Sequence, residues 1–205
     1  MKRFGSTAAA LFAAAGLAAC AGMGGGGGGW QTLIDGDKGL ENFNRVGDAN
    51  WRAEGGTVVA DKGKGGHLVT KGSYTDFEIR AEFWAASDTN SGIFIRCSDP
   101  TKITATTCYE VNIWDTRPEP KYGTGAIVDV AEVPVPIANM AGGRWNTYEI
   151  TAKGAQLTVK LNGVQTVSVA NGKLPAGVIT LQFGNGAKDA PGGPIKWRKV
   201  QIRPI

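Results

Sequence analysis

The feature that most constrains this chain is a series of short runs in which apolar and polar residues alternate. The clearest run, FEIRAEF at 77–83, has an apolar residue at every second position. A period of two places those apolar side chains on one face of a β-strand. Gly, Asn and Pro separate the runs, and Asn162-Gly163 is a strong hairpin turn. With no long segment of helical periodicity, the sequence predicts an all-β sandwich of ten or more strands.

The first part of the chain is predicted to lie outside this sandwich. Residues 1–19 have a basic head and a short apolar run rich in Ala, which indicates a signal peptide rather than a membrane span. The run ends in LAAC, which resembles a bacterial lipobox, so we expect Cys20 to be lipidated. The alternative is an ordinary secretory peptide with an incidental cysteine. Six glycines at 24–29 make residues 20–29 a flexible tether, and residues 30–205 suit one domain.

These features predict a location in the bacterial cell envelope, with the membrane contacted through a lipid anchor only. In a Gram-negative cell the location would be the periplasm or the outer membrane. The formal charge of +4 falls to +2 when Lys2 and Arg3 leave with the signal peptide. No Lys/Arg cluster interleaved with aromatic residues remains, which argues against binding of nucleic acid.

The two remaining cysteines, Cys97 and Cys108, flank the polar loop SDPTKITATT. In an oxidising envelope compartment we expect them to form a disulfide that closes this loop. A metal-binding pair is less favoured, because no further Cys or His cluster accompanies them. The lone His67 follows two glycines and is interpreted as a surface loop residue rather than a ligand.

A set of short motifs, in order along 30–205, resembles the bacterial 3-keto-disaccharide hydrolase domain, formerly a domain of unknown function. The matching segments include TLIDGDKGLENF (32–43), GGHLVTKGSYTDFEIRAEF (65–83), NSGIFIR (90–96), YEVNIWD (109–115), GTGAI (123–127), GRWNTYEI (143–150) and GVITLQFG (177–184). The resemblance implies a concanavalin A-like jelly-roll sandwich of two antiparallel sheets. One departure is Val128-Asp129, where the family often has an aromatic residue after GTGAI.

The segment YEVNIWD holds the main candidate site residues. Its apolar positions face the core, so Glu110, Asn112 and Trp114 share the opposite face. We prefer a hairpin register that pairs Arg96 with Glu110, because a slip by one residue would bury Arg96 or expose its apolar neighbours. The alternative register pairs Cys97 with Cys108.

In a jelly roll of this type that second face would be the concave, ligand-binding side, where aromatic rings stack on sugars and polar groups bind hydroxyls. The alternative is that these side chains are simply solvated residues on the outer face of the sandwich. The predicted substrate-binding residues are Asn90, Asn112, Trp114, Phe94, Trp84 and Gln182, and Glu78, Arg80 and Glu82 could extend the surface.

Asp115 stands five residues beyond Glu110. The spacing is similar to the Glu-x-Asp-x-x-Glu strand of jelly-roll β-glucanases, with two of the three positions changed here. A regular strand would put Asp115 on the opposite face, roughly 17 Å away, and only a β-bulge would return it to the Glu110 face.

A 3-keto sugar needs fewer catalytic groups than an ordinary glycoside. The ketone acidifies the C2 proton, so a single base can start an elimination of the C1 substituent, followed by addition of water. We therefore expect Glu110 to be the base, Arg96 to stabilise the enolate and Asp115 to be the acid or a metal ligand. No cofactor is certain. A divalent metal could replace Arg96, although the sequence shows no dense ligand cluster.

The sequence thus predicts an envelope lipoprotein that hydrolyses 3-keto-glycosides such as 3-keto-disaccharides, downstream of a sugar 3-oxidoreductase. Two alternatives remain open. One is a non-catalytic carbohydrate-binding module, and the other is an ordinary jelly-roll glycanase that acts on unoxidised glucans.

Overall fold

The computed structural model describes Met1 and residues 29–205, and it contains thirteen β-strands. The predicted signal peptide, Cys20 and nearly all of the tether lie outside the described residues. Within the described part of the chain, no helix is long and apolar enough to span a bilayer. The strands are β1 (Gln31–Asp35), β2 (Phe43–Gly47), β3 (Arg52–Glu54), β4 (Thr57–Ala60), β5 (Gly66–Tyr74), β6 (Phe77–Ala85), β7 (Ser91–Cys97), β8 (Tyr109–Ile113), β9 (Arg144–Lys153), β10 (Gln156–Leu161), β11 (Val164–Ala170), β12 (Gly177–Phe183) and β13 (Ile195–Pro204).

The strands form two antiparallel sheets that pack face to face. The larger sheet has the order β11-β10-β9-β6-β13-β4-β3, with β1 paired to β13, and the smaller has the order β2-β5-β12-β7-β8. The helical segments of the described residues are three 3₁₀ turns, Leu40–Asn42, Pro120–Tyr122 and Ala187–Asp189. The predicted jelly-roll sandwich of two antiparallel sheets is confirmed.

The core lies between the two sheets and follows the alternation of the sequence. On β6 the residues Phe77, Ile79, Ala81 and Phe83 are buried, while the residues between them are at least partly exposed. Phe83 stacks on Tyr148 with ring centroids 5.1 Å apart. Burying a side chain of this size contributes roughly 1.5–3 kcal/mol, so the burial of such residues between the sheets is the main source of stability.

The free edge of β8 is covered by the chain segment 123–128. Asn112 N donates to Ala126 O at 3.0 Å, and Val128 N donates to Glu110 O at 3.0 Å. These bonds satisfy backbone groups that an open edge would leave unpaired. They also bring Asp129 to the end of the strand that carries Glu110.

The β7–β8 hairpin is regular, and a bulge follows in β7 where it pairs with β12. Phe94, rather than Arg96, pairs with Glu110. Four residues of β7, Phe94 to Cys97, lie opposite three residues of β12, Val178 to Thr180, and Arg96 has a left-handed φ of 51°. The predicted pairing of Arg96 with Glu110 is therefore wrong. The bulge returns Cys97 to the Phe94 side of the sheet, where the predicted disulfide with Cys108 is confirmed.

Arg96 itself turns away from the Glu110 side and is fully buried at one end of the sandwich. Its Nε donates to Thr75 O at 2.8 Å, and its Nη1 donates to Gly154 O at 2.7 Å. Its Nη2 pairs with Asp76 Oδ1 at 3.0 Å. Arg96 thus ties the β5–β6 turn to the β9–β10 turn.

We expect Arg96→Met to lower the free energy of unfolding by about 3 kcal/mol, because it removes a fully buried guanidinium that binds two turns and pairs with Asp76. Urea unfolding measures this loss. The control is Arg52→Met, which removes an exposed pair with Glu54 and Asp61 and should cost about 1 kcal/mol or less. Equal losses in the two variants would contradict the structural role of Arg96.

Candidate functional site

The outer face of the five-stranded sheet, called here the Glu110 face, carries two neighbouring rows of side chains. Residues paired across antiparallel strands lie on the same side of the sheet, so the register defines each row. The first row is Asn44, Val69, Thr180, Phe94 and Glu110, and the second is Val46, His67, Gln182, Gly92 and Asn112. The face therefore crosses five strands, with β8 at one side.

Glu110 is the one carboxylate in these rows, and it is only 8% exposed. Burial raises its pKa to about 7, against an ordinary value of 4.5. The charge of Arg117 lowers the pKa and the charge of Asp129 raises it, both by less than burial does. No hydrogen bond contributes to the shift. A carboxyl group of this kind is close to half ionised at neutral pH and can both accept and return a proton.

Asn112 follows Glu110 on the same face, and Trp114 stands directly after the end of β8. Asn112 is fully buried, and its Nδ2 donates to Tyr122 O at 2.6 Å. Its Oδ1 is buried without a partner among the described residues. Trp114 is partly exposed, and its backbone N donates to Thr124 Oγ1 at 2.9 Å. Asn112 therefore holds the turn that follows β8, while Trp114 offers partly exposed ring surface at the end of that strand.

Arg117 was missed by the sequence analysis and supplies the positive charge near Glu110. It lies in the turn after β8, with its Cζ 5.5 Å from the centroid of the Trp114 ring. Its Nε is buried without a hydrogen-bond partner among residues 29–205. The segment TRPEP is an ordinary polar turn by composition. Nothing in the sequence indicates that this turn folds back over the strand.

Asp115 is not brought to Glu110. The β7–β8 ladder is regular from Tyr109 to Ile113, so the bulge required to return Asp115 to the Glu110 face does not occur in β8. Its Oδ1 accepts from Thr124 Oγ1 (2.6 Å) and Ala141 N (3.0 Å), and its Oδ2 accepts from Gly142 N (2.8 Å). Asp115 anchors the connections after β8, and its carboxylate is occupied by three donors.

Trp84 lies on the opposite side of the molecule, because β6 belongs to the larger sheet. It pairs with Trp145 on β9, and Lys196 Nζ lies 5.0 Å from its ring centroid. The expected extension of the site by Glu78, Arg80 and Glu82 is wrong for the same reason. Glu82 pairs with Arg198, and Glu78 pairs with Arg203, on that outer face.

Phe94 and Gln182 do lie on the Glu110 face. Phe94 is directly opposite Glu110, is 2% exposed and packs against the disulfide. This apolar neighbour is a principal reason that water is excluded from one side of the carboxyl group. Gln182 is half-buried, and its Oε1 has no partner among the described residues. Asn90 donates through Nδ2 to Asn185 O at 2.5 Å and is partly committed to that loop.

His67 is a strand residue of β5, so its interpretation as a surface loop residue is wrong. Its Nδ1 lies 3.0 Å from Thr180 Oγ1, and its ring meets Phe94 edge-on at 5.1 Å. Burial lowers its pKa to about 4, so the ring is neutral at pH 7. His67 therefore adds a neutral hydrogen-bonding group to the row that also contains Gln182. The described residues contain no group of three or more His, Cys, Asp or Glu side chains arranged to hold a metal ion.

The raised pKa of Glu110 predicts a pH-dependent cost to stability. The protonated form is favoured in the fold, so the cost is absent below pH 4.5, grows between pH 4.5 and 7, and is complete above pH 7. We expect the free energy of unfolding of Glu110→Gln, taken relative to that of wild type, to be about 3 kcal/mol higher at pH 8.5 than at pH 4.5. Chemical unfolding at both pH values measures this gain, with Glu149→Gln as the matched control. Parallel stability curves for wild type and Glu110→Gln would contradict it.

Comparison with known proteins gives both fold and family. A candidate glycosyl hydrolase from Parabacteroides distasonis is 24% identical, with a TM-score of 0.69 over 87% of this chain and 100% of its own. A second from the same organism is 18% identical, with a TM-score of 0.70 over 86% of this chain and 94% of its own. The potassium-bound carbohydrate recognition domain of Emp46p is 11% identical, with a TM-score of 0.57 over 83% of this chain and 95% of its own. At these identities the likeness shows the fold alone.

A search of curated protein sequences found no match. The family model described as the 3-keto-alpha-glucoside-1,2-lyase-like domain matches residues 29–203, which is nearly the whole of the folded part. The family resemblance expected from the motifs is thereby confirmed. This chain belongs to the family of 3-keto-alpha-glucoside-1,2-lyase-like domains.

Proposed function

We propose that this domain cleaves the glycosidic bond of 3-keto-glycosides, with Glu110 as the base that removes the C2 proton. The observation that carries the proposal is a buried carboxyl group with a pKa of about 7 and no hydrogen-bond partner in the described part of the chain, on a sheet face lined by hydrogen-bonding groups. The family description names a lyase acting on 3-keto-α-glucosides, and an elimination of this type is a lyase reaction.

The reaction has two stages. In the first, Glu110 takes the C2 proton, the electron pair moves toward the C3 oxygen as an enolate, and its return expels the C1 oxygen as the leaving group. The leaving oxygen takes up a proton, and a carboxyl group with a pKa near 7 can supply one. In the second stage, water adds across the new C1–C2 double bond, so the net result is hydrolysis.

Three features of the site favour this route over an ordinary retaining glycanase. That mechanism requires two carboxyl groups about 5–5.5 Å apart. Asp115 is engaged by three donors and lies beyond the end of β8. The charge of Asp129 raises the pKa of Glu110, but Asp129 itself is exposed. An enolate mechanism needs only the one base that the site supplies.

The setting of the reaction extends the proposal. A 3-keto sugar arises by oxidation of a secondary alcohol, so an oxidoreductase acting at C3 of the sugar would have to supply the substrate. The sequence of residues 1–29 favours attachment of the domain to the bacterial envelope through a lipid on Cys20. Replacement of Cys20 by Ala should release the protein from the membrane fraction if this assignment holds.

The test of the function compares a 3-keto-α-glucoside with the same glycoside unoxidised, each with and without a chelator. We expect turnover of the oxidised substrate only, and a loss of about 10²–10⁴-fold in kcat for Glu110→Gln. Glu149→Gln, on the outer face of the other sheet, serves as the matched control and should retain activity.

Each other outcome excludes a specific element of the proposal. Cleavage of the unoxidised glycoside would indicate a glycanase, and saturable binding without turnover would indicate a carbohydrate-binding module. Full activity of Glu110→Gln would remove Glu110 from the mechanism. Loss of activity with chelator would show that a divalent metal takes part.

A further inference from the structure

We infer that Arg117 is the group that stabilises the enolate oxygen, with the Trp114 ring holding its guanidinium over the Glu110 face. This inference rests on the proposed function and assigns the role that the sequence analysis gave to Arg96. It concerns the atom on which negative charge develops, the oxygen at C3 of the sugar.

The position of Arg117 is set by the strand that carries Glu110. Side chains 110 and 112 lie on one face of β8, Trp114 follows the strand, and the chain then turns so that the Arg117 backbone N donates to Trp114 O at 3.4 Å. The guanidinium lies over the Trp114 ring, with Cζ 5.5 Å from its centroid. Stacking of this kind restricts the guanidinium to one side of the ring. The residues of the turn therefore carry a cation back toward the base.

The two charged groups complement each other without forming an ion pair. Arg117 is close enough for its charge to act on Glu110. Yet neither residue takes part in any of the six ion pairs among residues 29–205. The Arg117 Nε is buried with no partner, and an unmet buried donor costs about 1–3 kcal/mol. The base and the cation are thus both available to bind a substrate group rather than each other.

Two other cations of the segments around β7 and β8 are engaged elsewhere. Arg96 is buried against the turns at the far end of the hairpin. Lys121 Nζ pairs with Glu132 at 2.8 Å. Arg117 is thus the cation whose free donor and position both suit the Glu110 face.

The chemistry requires no proton transfer from Arg117. Its guanidinium donates N–H groups to the C3 oxygen as charge accumulates there. The electron pair of the C2–H bond passes to that oxygen while Glu110 holds the proton, and it then returns to break the C1–O bond. Because the donor is fixed before reaction, its interaction strengthens as the enolate forms.

The experiment compares Arg117→Met and Arg117→Lys with Arg198→Met. Arg198 also lies over a tryptophan, with its Cζ 4.4 Å from the Trp145 centroid, but on the outer face of the other sheet. We expect Arg117→Met to lower kcat on a 3-keto-α-glucoside by about 10²–10³-fold and Arg117→Lys to restore part of the loss. Arg198→Met should leave kcat within about threefold of wild type, as expected for a surface contact.

A second readout follows the pKa of Glu110, through the pH dependence of kcat/KM and NMR titration of the carboxyl carbon. This pKa should rise in Arg117→Met and fall in Asp129→Asn, since the two charges act in opposite directions. The titration also reports that each variant is folded.

The outcomes separate this inference from the proposed function. If wild type cleaves the 3-keto-glycoside and Arg117→Met does so equally well, Arg117 is not the stabilising group and the proposed function stands. If wild type does not cleave it, the proposed function and this inference fail together. A loss of kcat with both arginine variants equal to that of Arg198→Met would also overturn the inference.

Discussion

The bulge at Arg96 is the constraint on which both the sandwich and its site depend. A left-handed backbone at this one position turns the arginine into the end of the molecule, where it binds the β5–β6 turn, which joins the two sheets, and the β9–β10 turn of the larger sheet. The same bulge keeps Arg96 off the Glu110 face, and Phe94 is the residue that lies beside Glu110. An arginine in that place would pair with the carboxylate and lower its pKa. The backbone irregularity that anchors the fold therefore also leaves the carboxyl group without a partner.

The outer faces of the two sheets differ in whether their carboxylates form ion pairs. On the larger sheet, carboxylates lie beside arginines in partly exposed pairs, which is the usual state of a solvated face and contributes little to stability. On the smaller sheet, one carboxyl group is buried beside an aromatic ring with no ion pair. Retaining such a group lowers stability at neutral pH, and proteins tolerate that cost mainly where a reaction requires it.

The sequence predicted the strands well and the site only in part. Period two correctly placed Tyr109, Val111 and Ile113 in the core and Glu110 and Asn112 outside it. It could not assign β6 to a sheet, because the same alternation occurs in strands of both sheets. Trp84 was therefore placed on the wrong side of the molecule.

Irregular backbone accounts for the other differences. A bulge changes which residues face each other without changing the pattern of residue types, which explains the misplacement of Arg96. A turn can bring a side chain back toward the strand that precedes the turn. The residue types of the turn after β8 do not indicate this, so Arg117 was missed. Asp115 was assigned a catalytic role because residue type alone does not distinguish a carboxylate that binds loop amides from one that takes part in a reaction.

The replacement of a carboxylate by Asn112 now has a physical explanation that concerns Arg117. A second carboxylate at this fully buried position would add a like charge two residues from Glu110 and raise the cost of ionising either group. An amide avoids that charge and, unlike a carboxylate, can donate to a carbonyl oxygen. Asn112 uses this donor on Tyr122 O and so secures the turn that contains Arg117. In a glucanase strand the middle residue would tune a nucleophile, whereas here it fixes the loop that brings a cation to a single base.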